Sequence, residues 1–350
     1  MNRREMLGAL AAGGFAPWVA RAAERPRTKL GLCIESSRAR AKMQKPAGKP
    51  VSFFDPLNYL EYCHSLGAGG IQVPLRKQDD AYCSRLRQKA QEYGMFIEAM
   101  GSLPRDQADV ERFEAEVRTA KNAGVNVIRV VLVAGRRYEG YDSPEQFRTA
   151  INQALQSVQL AEPVAARLRV RLAIENHKDH RIGERLDLLK RLNSEHVGLC
   201  LDTGNNIALL EDPMEVVEAF APWAFSVHLK DAAVKESENG FLLIDLPLGE
   251  GFLDLPKMVA VIRKARPEAQ FSLELITRDP LEVPCLTEKY WGAMSDVPGC
   301  DLARTLRMVR ANAFQKPLPR LGQLPLDDLI KIEEENIKRS LAYAREHLDL

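Results

Sequence analysis

The chain alternates eight times between a short apolar run of strand character and a longer stretch with helix signals, and this alternation limits its fold more than any other property. The apolar runs fall at residues 29–34, 71–74, 95–100, 125–133, 171–177, 197–201, 225–229 and 271–275. They are rich in Val, Ile and Leu, as expected of strands buried on both faces. Between them, Asp55-Pro56, Ser143-Pro144-Glu145 and Asp212-Pro213-Met214 each place a capping side chain before a proline at the first helical position. Gly94 and Gly124 end predicted helices at 79–93 and 106–123, and further helices are expected at 182–192, 255–264 and 300–313. Pro163 is expected to kink the long helix that opens at Pro144. Residues 36–50 read as a basic, polar loop, and 231–254 as an insertion with a small hairpin around 241–244.

Strands that alternate with helices predict an α/β chain with a parallel sheet, and eight such units predict a closed (β/α)8 barrel over residues 27–315. A C-terminal helical extension, 316–350, follows, with one amphipathic helix at 327–347 that packs on its own barrel or on a second copy in a homo-oligomer. A doubly wound open sheet would need a glycine-rich phosphate-binding turn after an early strand, and the sequence has none.

With 350 residues, 45% of them hydrophobic, the chain can bury a large core, and its formal charge of +1 gives no global attraction to nucleic acid or anionic membrane. The first residues differ in character. Asn2-Arg3-Arg4-Glu5-Met6-Leu7, a weakly apolar run to Val19 and the small-x-small triplet Ala20-Arg21-Ala22 have the form of a twin-arginine signal peptide spanning residues 1–22. The apolar run falls short of the roughly 20 residues a membrane span requires, so the expectation is export to the periplasm without stable membrane insertion. The six cysteines are widely spread, with no Cys-x-x-Cys; Cys33 and Cys200 sit within apolar strands as small hydrophobes, most are expected to be free thiols, and Cys285 with Cys300 is the one pairing left open.

The last four strands each end in a metal-capable side chain: Glu175, Asp202, His228 and Glu274. Successive ones are separated by one strand–helix repeat, the last by one repeat plus the insertion. In a barrel the strand C-termini open onto one face, so these groups are expected to meet there. Three carboxylates buried together without a cation would be very costly. With one imidazole they form an oxygen-rich donor set for one divalent ion, Mn²⁺ first, with Mg²⁺, Co²⁺ or Zn²⁺ compatible.

These residues lie in the stretches Ile174-Glu175-Asn176-His177, Leu201-Asp202-Thr203-Gly204-Asn205, His228-Leu229-Lys230-Asp231, Gly249-Glu250-Gly251 and Leu273-Glu274. In them the chain resembles the sugar phosphate isomerase/epimerase superfamily, with its xylose isomerase-like TIM barrel, over roughly residues 28–312. The resemblance implies that Glu175, Asp202, His228 and Glu274 bind one divalent metal, and that Glu175 and Glu274 flank the substrate as acid and base. His177, Asn205, Lys230 and Arg278 are the candidate substrate-binding residues. For His177 the competing role is to orient a ligand, for Lys230 to pair with Asp231, and for Arg278 to remain an ordinary loop arginine. Tyr290 and Trp291 wall the pocket or belong to the core.

The implied function is a divalent-metal-dependent sugar isomerase or epimerase acting through an enediolate. The alternative is a lyase or dehydratase acting on a keto-sugar, keto-inositol or 3-keto-glycoside in the same site. Export argues for a free sugar or keto-sugar over a sugar phosphate. A DNA-repair endonuclease on the same barrel needs three zinc ions and histidines that are missing here: position 205 is Asn, and strands two and three carry no His. A sugar-binding barrel without catalysis would lack one of the paired glutamates, and both are present.

Overall fold

The structure is a computed structural model that describes residues 27–42, 53 and 55–350. The expected signal segment, 1–22, lies outside the described residues. Among the described residues eleven strands follow in order: β1 (Gly31–Cys33), β2 (Gly70–Pro74), β3 (Phe96–Met100), β4 (Val127–Val130), β5 (Arg171–Glu175), β6 (Val197–Asp202), β7 (Ala224–Leu229), β8 (Asp231–Ser237), β9 (Gly240–Leu246), β10 (Gln270–Leu273) and β11 (Leu281–Val283). Eight of them close into a parallel barrel in the order β1-β10-β7-β6-β5-β4-β3-β2. This is the TIM barrel expected from the alternation. The other three, β8, β9 and β11, form a small antiparallel sheet; the hairpin β8–β9 is the expected insertion, and β11 adds an edge strand that sequence patterning did not reveal.

The helices begin where the capping signals stand. Asp55 accepts from the N–H groups of Leu57 and Asn58 to start Pro56–Leu66. Ser143 accepts from Gln146 N–H to start Pro144–Leu168, and Asp212 accepts from Met214 and Glu215 N–H to start Pro213–Phe220. Such caps supply acceptors to N–H groups that no helical carbonyl can reach. The helix Pro144–Leu168 is continuous through Pro163.

Part of the segment expected to be a loop is helical: a 3-10 turn at Ile34–Ser37 leads into Arg38–Ala41. Its stabilisation comes from far along the chain. The buried Glu333 carboxylate accepts from Ala39 N–H at 2.6 Å and Arg40 N–H at 3.0 Å. Glu333 lies on the C-terminal helix Leu326–His347, which packs on its own barrel and buries Ile330, Ile337, Leu341 and Ala344. No helix among the described residues is long and apolar enough to cross a membrane. Cys285 is buried and Cys300 exposed, and both are free thiols, as are the other four cysteines. A short helix at Glu288–Met294 was also not anticipated; in it Tyr290 donates to Ala208 O and Trp291 to Cys285 O, so both rings are tied into the core.

Candidate active site

Glu175 and Asp202 are the last residues of β5 and β6, His228 is next to last in β7, and Glu274 follows β10 directly. In register, His228 lies opposite Asp202 on one side and Ser272 on the other, and Glu274 N–H is tied to Leu229 O at 3.1 Å. This pairing brings all four side chains to one buried point at the C-terminal mouth, their ligand-capable atoms within 4.8 Å of one another.

The backbone fixes which oxygen of Asp202 faces that point. Its Oδ1 accepts from Gly204 N–H and Asn205 N–H, both at 2.8 Å, leaving Oδ2 turned inward. Asn176 holds the same residue from the strand before: its Oδ1 accepts from Asp202 N–H at 2.7 Å, and its Nδ2 donates to Asp202 O at 2.9 Å. The motif Glu175-Asn176-His177 therefore contributes an inter-strand clamp as well as a carboxylate.

Cations surround the cluster. Lys230 Nζ is 2.8 Å from Glu274 Oε2, 3.0 Å from Asp202 Oδ2 and 3.4 Å from Asn205 Oδ1. Arg129, on β4, pairs with Glu175 Oε2. His228 Nδ1 lies 3.6 Å from Glu175 Oε2 and 3.5 Å from Glu274 Oε2, and its Nε2 lies 2.7 Å from Gln72 Oε1. Gln72 Nε2 donates to Glu98 Oε2 at 3.0 Å, and Ser226 Oγ donates to the same oxygen at 2.6 Å.

The carboxylates respond to this setting in opposite directions. Burial works to raise Glu175, but the Arg129 guanidinium and the His228 imidazole together hold the acid below its ordinary range. Glu274 is likewise held well below by Lys230 and His228 against burial. Asp202 is pushed up by burial, which Lys230 only partly offsets. Burial also raises Glu98, to about 7, although Ser226 and Gln72 donate to it.

At the centre, the buried His228 Nδ1 makes no hydrogen bond, and Asp202 Oδ2 has only the Lys230 ammonium, 3.0 Å away. A buried acceptor left unsatisfied is costly, and both are good donors to a divalent cation. With the Glu175 and Glu274 oxygens alongside, the residues fit one divalent ion.

The remaining expected residues divide. Asn205 is at the site, its Nδ2 donating to Glu175 Oε1 at 3.3 Å and its Oδ1 accepting from both Lys178 and Lys230. His177 is partly buried beside Glu175 with its Nδ1 unpartnered. Lys230 pairs with Asp202 and Glu274, and its suggested pairing with Asp231 does not occur. Asp231 instead accepts four backbone N–H groups: Gly249, Gly251 and Ala232 at 2.9 Å each and Leu253 at 3.3 Å. A Cβ on Gly251 would lie 2.1 Å from Asp231 Oδ1, which explains why Gly249-Glu250-Gly251 accompanies that aspartate. Arg278 is committed to Asp245 of β9 at 2.9 Å, an ion pair that fastens the small sheet.

Gln72, Glu98, Arg129 and Lys178 were not anticipated. A signal existed for Arg129, one of two polar residues in the otherwise apolar fourth strand run. Gln72 and Glu98 are likewise single polar residues inside apolar strands.

The xylose isomerase-like TIM barrel family model matches residues 60–293. The chain belongs to that family. Among curated relatives, the 3-oxo-isoapionate decarboxylase of Pectobacterium atrosepticum is 26% identical over 232 residues, 65% of this chain and 77% of the relative. A solved structure of D-psicose 3-epimerase, crystallised in the presence of D-fructose, superposes with a TM-score of 0.57 at 15% identity, covering 86% of this chain and 95% of the other. A family member from Mycobacterium smegmatis in complex with magnesium gives a TM-score of 0.55 at 17% identity, covering 79% and 97%. At these identities the two structures speak for the fold alone.

Proposed function

We propose that the protein is a divalent-metal-dependent sugar isomerase or epimerase acting through an enediolate on a free sugar or keto-sugar. The observation that carries this reading is the buried convergence of Glu175, Asp202, His228 and Glu274, their ligand-capable atoms within 4.8 Å of one another. Glu175, Asp202 through Oδ2, His228 through Nδ1 and Glu274 would hold the ion, and Mn²⁺ is the first candidate. When bound, the cation supplies Lewis-acid polarisation of a substrate carbonyl and its neighbouring hydroxyl.

The protein's own groups account for the proton movements. Arg129 and Lys230 keep Glu175 and Glu274 ionised despite burial, so either is ready to accept a proton. One removes the proton from the carbon α to the carbonyl, and the other, once it has taken up a proton from solvent or a substrate hydroxyl, delivers that proton from the opposite face. Delivery to the same carbon inverts it; delivery to the neighbouring carbon, with the hydroxyl proton passing to the former carbonyl oxygen, moves the carbonyl. His177, whose Nδ1 has no hydrogen-bond partner, would hydrogen-bond a substrate hydroxyl, and Asn205 and Lys230 would orient its oxygens. The twin-arginine-type segment at 1–22 supports export, and we propose periplasmic action on that ground.

A lyase reading is favoured by one specific observation, the similarity to a decarboxylase. Loss of CO₂ from the carbon α to a carbonyl leaves its electron pair as the same enolate, and an enolate formed by α-proton removal can expel a β-substituent with its electrons, so the same carboxylates and cation would serve either. One experiment separates the two: NMR of free sugars and keto-sugars incubated with the Mn²⁺-supplied protein in D₂O. Deuterium at the carbon α to the carbonyl, without loss of a fragment, is the expected result. Loss of water, CO₂ or an aglycone transfers the assignment to the lyase. No exchange with any substrate, or exchange that survives Glu175→Gln or Glu274→Gln, sinks the proton-transfer roles.

A further inference from the structure

Lys178 follows the β5 motif by one residue and is unused in the chemistry above. Its backbone is left-handed, with φ +62°, a conformation that L side chains rarely adopt. The residue is only 6% exposed. Its ammonium donates to one neutral acceptor, Asn205 Oδ1, and among the described residues it forms no ion pair. A buried ammonium with an amide oxygen for company and two N–H donors to spare is an expensive arrangement. Asn205 Oδ1 also accepts from Lys230, so two ammonium groups converge on one oxygen.

The charges at the mouth sharpen the point. Of the basic side chains at the mouth, Arg129 pairs with Glu175 and Lys230 with both Asp202 and Glu274, while Lys178 has none of the carboxylates. A divalent ion in the cluster would add two positive charges beside that unpaired ammonium. A neutral sugar leaves that excess in a buried site; an anionic substrate removes part of it.

We propose that Lys178, Lys230 and Asn205 form a subsite for the carboxylate of a substrate, so that this site acts on sugar acids in preference to neutral sugars. The inference rests on the metal-dependent carbohydrate chemistry proposed above and narrows its substrate class. A carboxylate fits better than a phosphate. Two ammonium groups can serve two oxygens, but the nearby backbone N–H groups of Gly204 and Asn205 are both spent on Asp202 Oδ1, leaving none to cradle a third. The lowering of Lys178 to about 8, by burial and then by Lys230, agrees with an ammonium lacking its anion.

The test is calorimetric titration of five- and six-carbon aldonates, the matching alditols and alditol phosphates into the protein, with Mn²⁺ and with EDTA. None of these ligands carries a carbonyl, so binding is read without turnover. Aldonates are expected to bind at least about tenfold more tightly than alditols. Lys178→Met should erase about tenfold of aldonate affinity with and without metal, leave alditol affinity unchanged, and preserve or raise the Tm, since it removes an unpaired buried charge. Lys178→Arg should retain most of the preference. The with-EDTA arm matters because a metal ion by itself attracts carboxylates. Equal binding of aldonate and alditol, no aldonate binding, stronger binding of the phosphates, or a Lys178→Met effect common to all ligands would overturn the subsite. Those outcomes leave deuterium exchange untouched. Conversely, Lys178-dependent aldonate binding by a protein that exchanges no deuterium would remove the proton-transfer reading and keep the subsite.

Discussion

His228 meets Gln72 through a 2.7 Å contact between its Nε2 and the Gln72 Oε1, joining β7 to β2 across the barrel interior. The amide orientation follows from its other end, where Nε2 donates to Glu98 and Ser226. Its oxygen can only accept, so His228 Nε2 carries the proton and Nδ1 turns to the carboxylates. A hydrogen bond of this kind fixes the tautomer of a metal-ligating histidine. Gln72→Leu is expected to weaken Mn²⁺ binding by roughly 10- to 100-fold, and Gln72→Glu, which keeps an acceptor, to lose far less. Titration calorimetry with Mn²⁺ decides it; equal losses in the two variants would refute the role.

Arg129 is the buried counter-charge of Glu175, and its removal should expose the dependence of the carboxylate cluster on cations. Breaking a buried pair from one side costs about 3–5 kcal/mol, so Arg129→Met is expected to lower the Tm markedly in EDTA. Mn²⁺ should restore part of the loss, giving a larger metal-induced rise in Tm than the parent shows. A metal response no larger than the parent's would mean that Arg129 and the ion do not neutralise the same group.

Glu98 gives a pH signature of definite sign. Its folded value, about 7, lies above the ordinary 4.5, so the folded chain holds a proton that the unfolded chain has released. That contribution is fully present below about pH 4.5 and is lost as pH rises toward 7, with a slope of at most about 1.4 kcal/mol per pH unit. Urea denaturation of the parent and of Glu98→Gln across this range should differ in slope, the variant being flatter. Parallel curves would show that Glu98 is ionised in the folded state.

Asp231 and Gly251 should behave as one unit. Asp231→Ala strips four backbone N–H groups of their acceptor, an expected loss of about 3 kcal/mol or more. Gly251→Ala forces its methyl against the same carboxylate and against Ala232 O. The double variant is expected to fall well short of the sum, because both changes break the same turn. Additive effects in denaturant melts would contradict the coupling.

The barrel and the four strand-end groups were legible because both are written locally: an apolar run, a polar tip, then a cap and a helix. The groups that tune the site were not, since each acquires meaning from a distant partner. Gln72 reads as a stray amide until β2 faces β7, and Glu98 as a stray acid until Ser226 arrives. Lys178 looks like any loop lysine until its backbone turns left-handed and buries it. Arg278 erred in the other direction: its position beyond the last barrel strand suggested a substrate clamp, and Asp245 of the small sheet, which sequence patterning does not place, claims it. The turn at Ile34–Ser37 and the short helix after it depend on Glu333, which no local pattern could supply.

The embrace of Ala39 and Arg40 by Glu333 also bears on how the molecule assembles. β1 finds one of its two neighbours, β10, only after nearly the whole chain is in place, and the helix carrying Glu333 comes later still. Thr28 Oγ1 donates to the Leu350 carbonyl, a contact made across a sequence separation of 322. The seam between first and last strand rests on contacts of the highest sequence separation, and it is expected to close after the folding transition state. Weakening it, as by Glu333→Ala, should quicken unfolding while leaving the refolding rate nearly unchanged. The lifetime of the folded molecule is then governed at that seam, far from the strands that carry its chemistry.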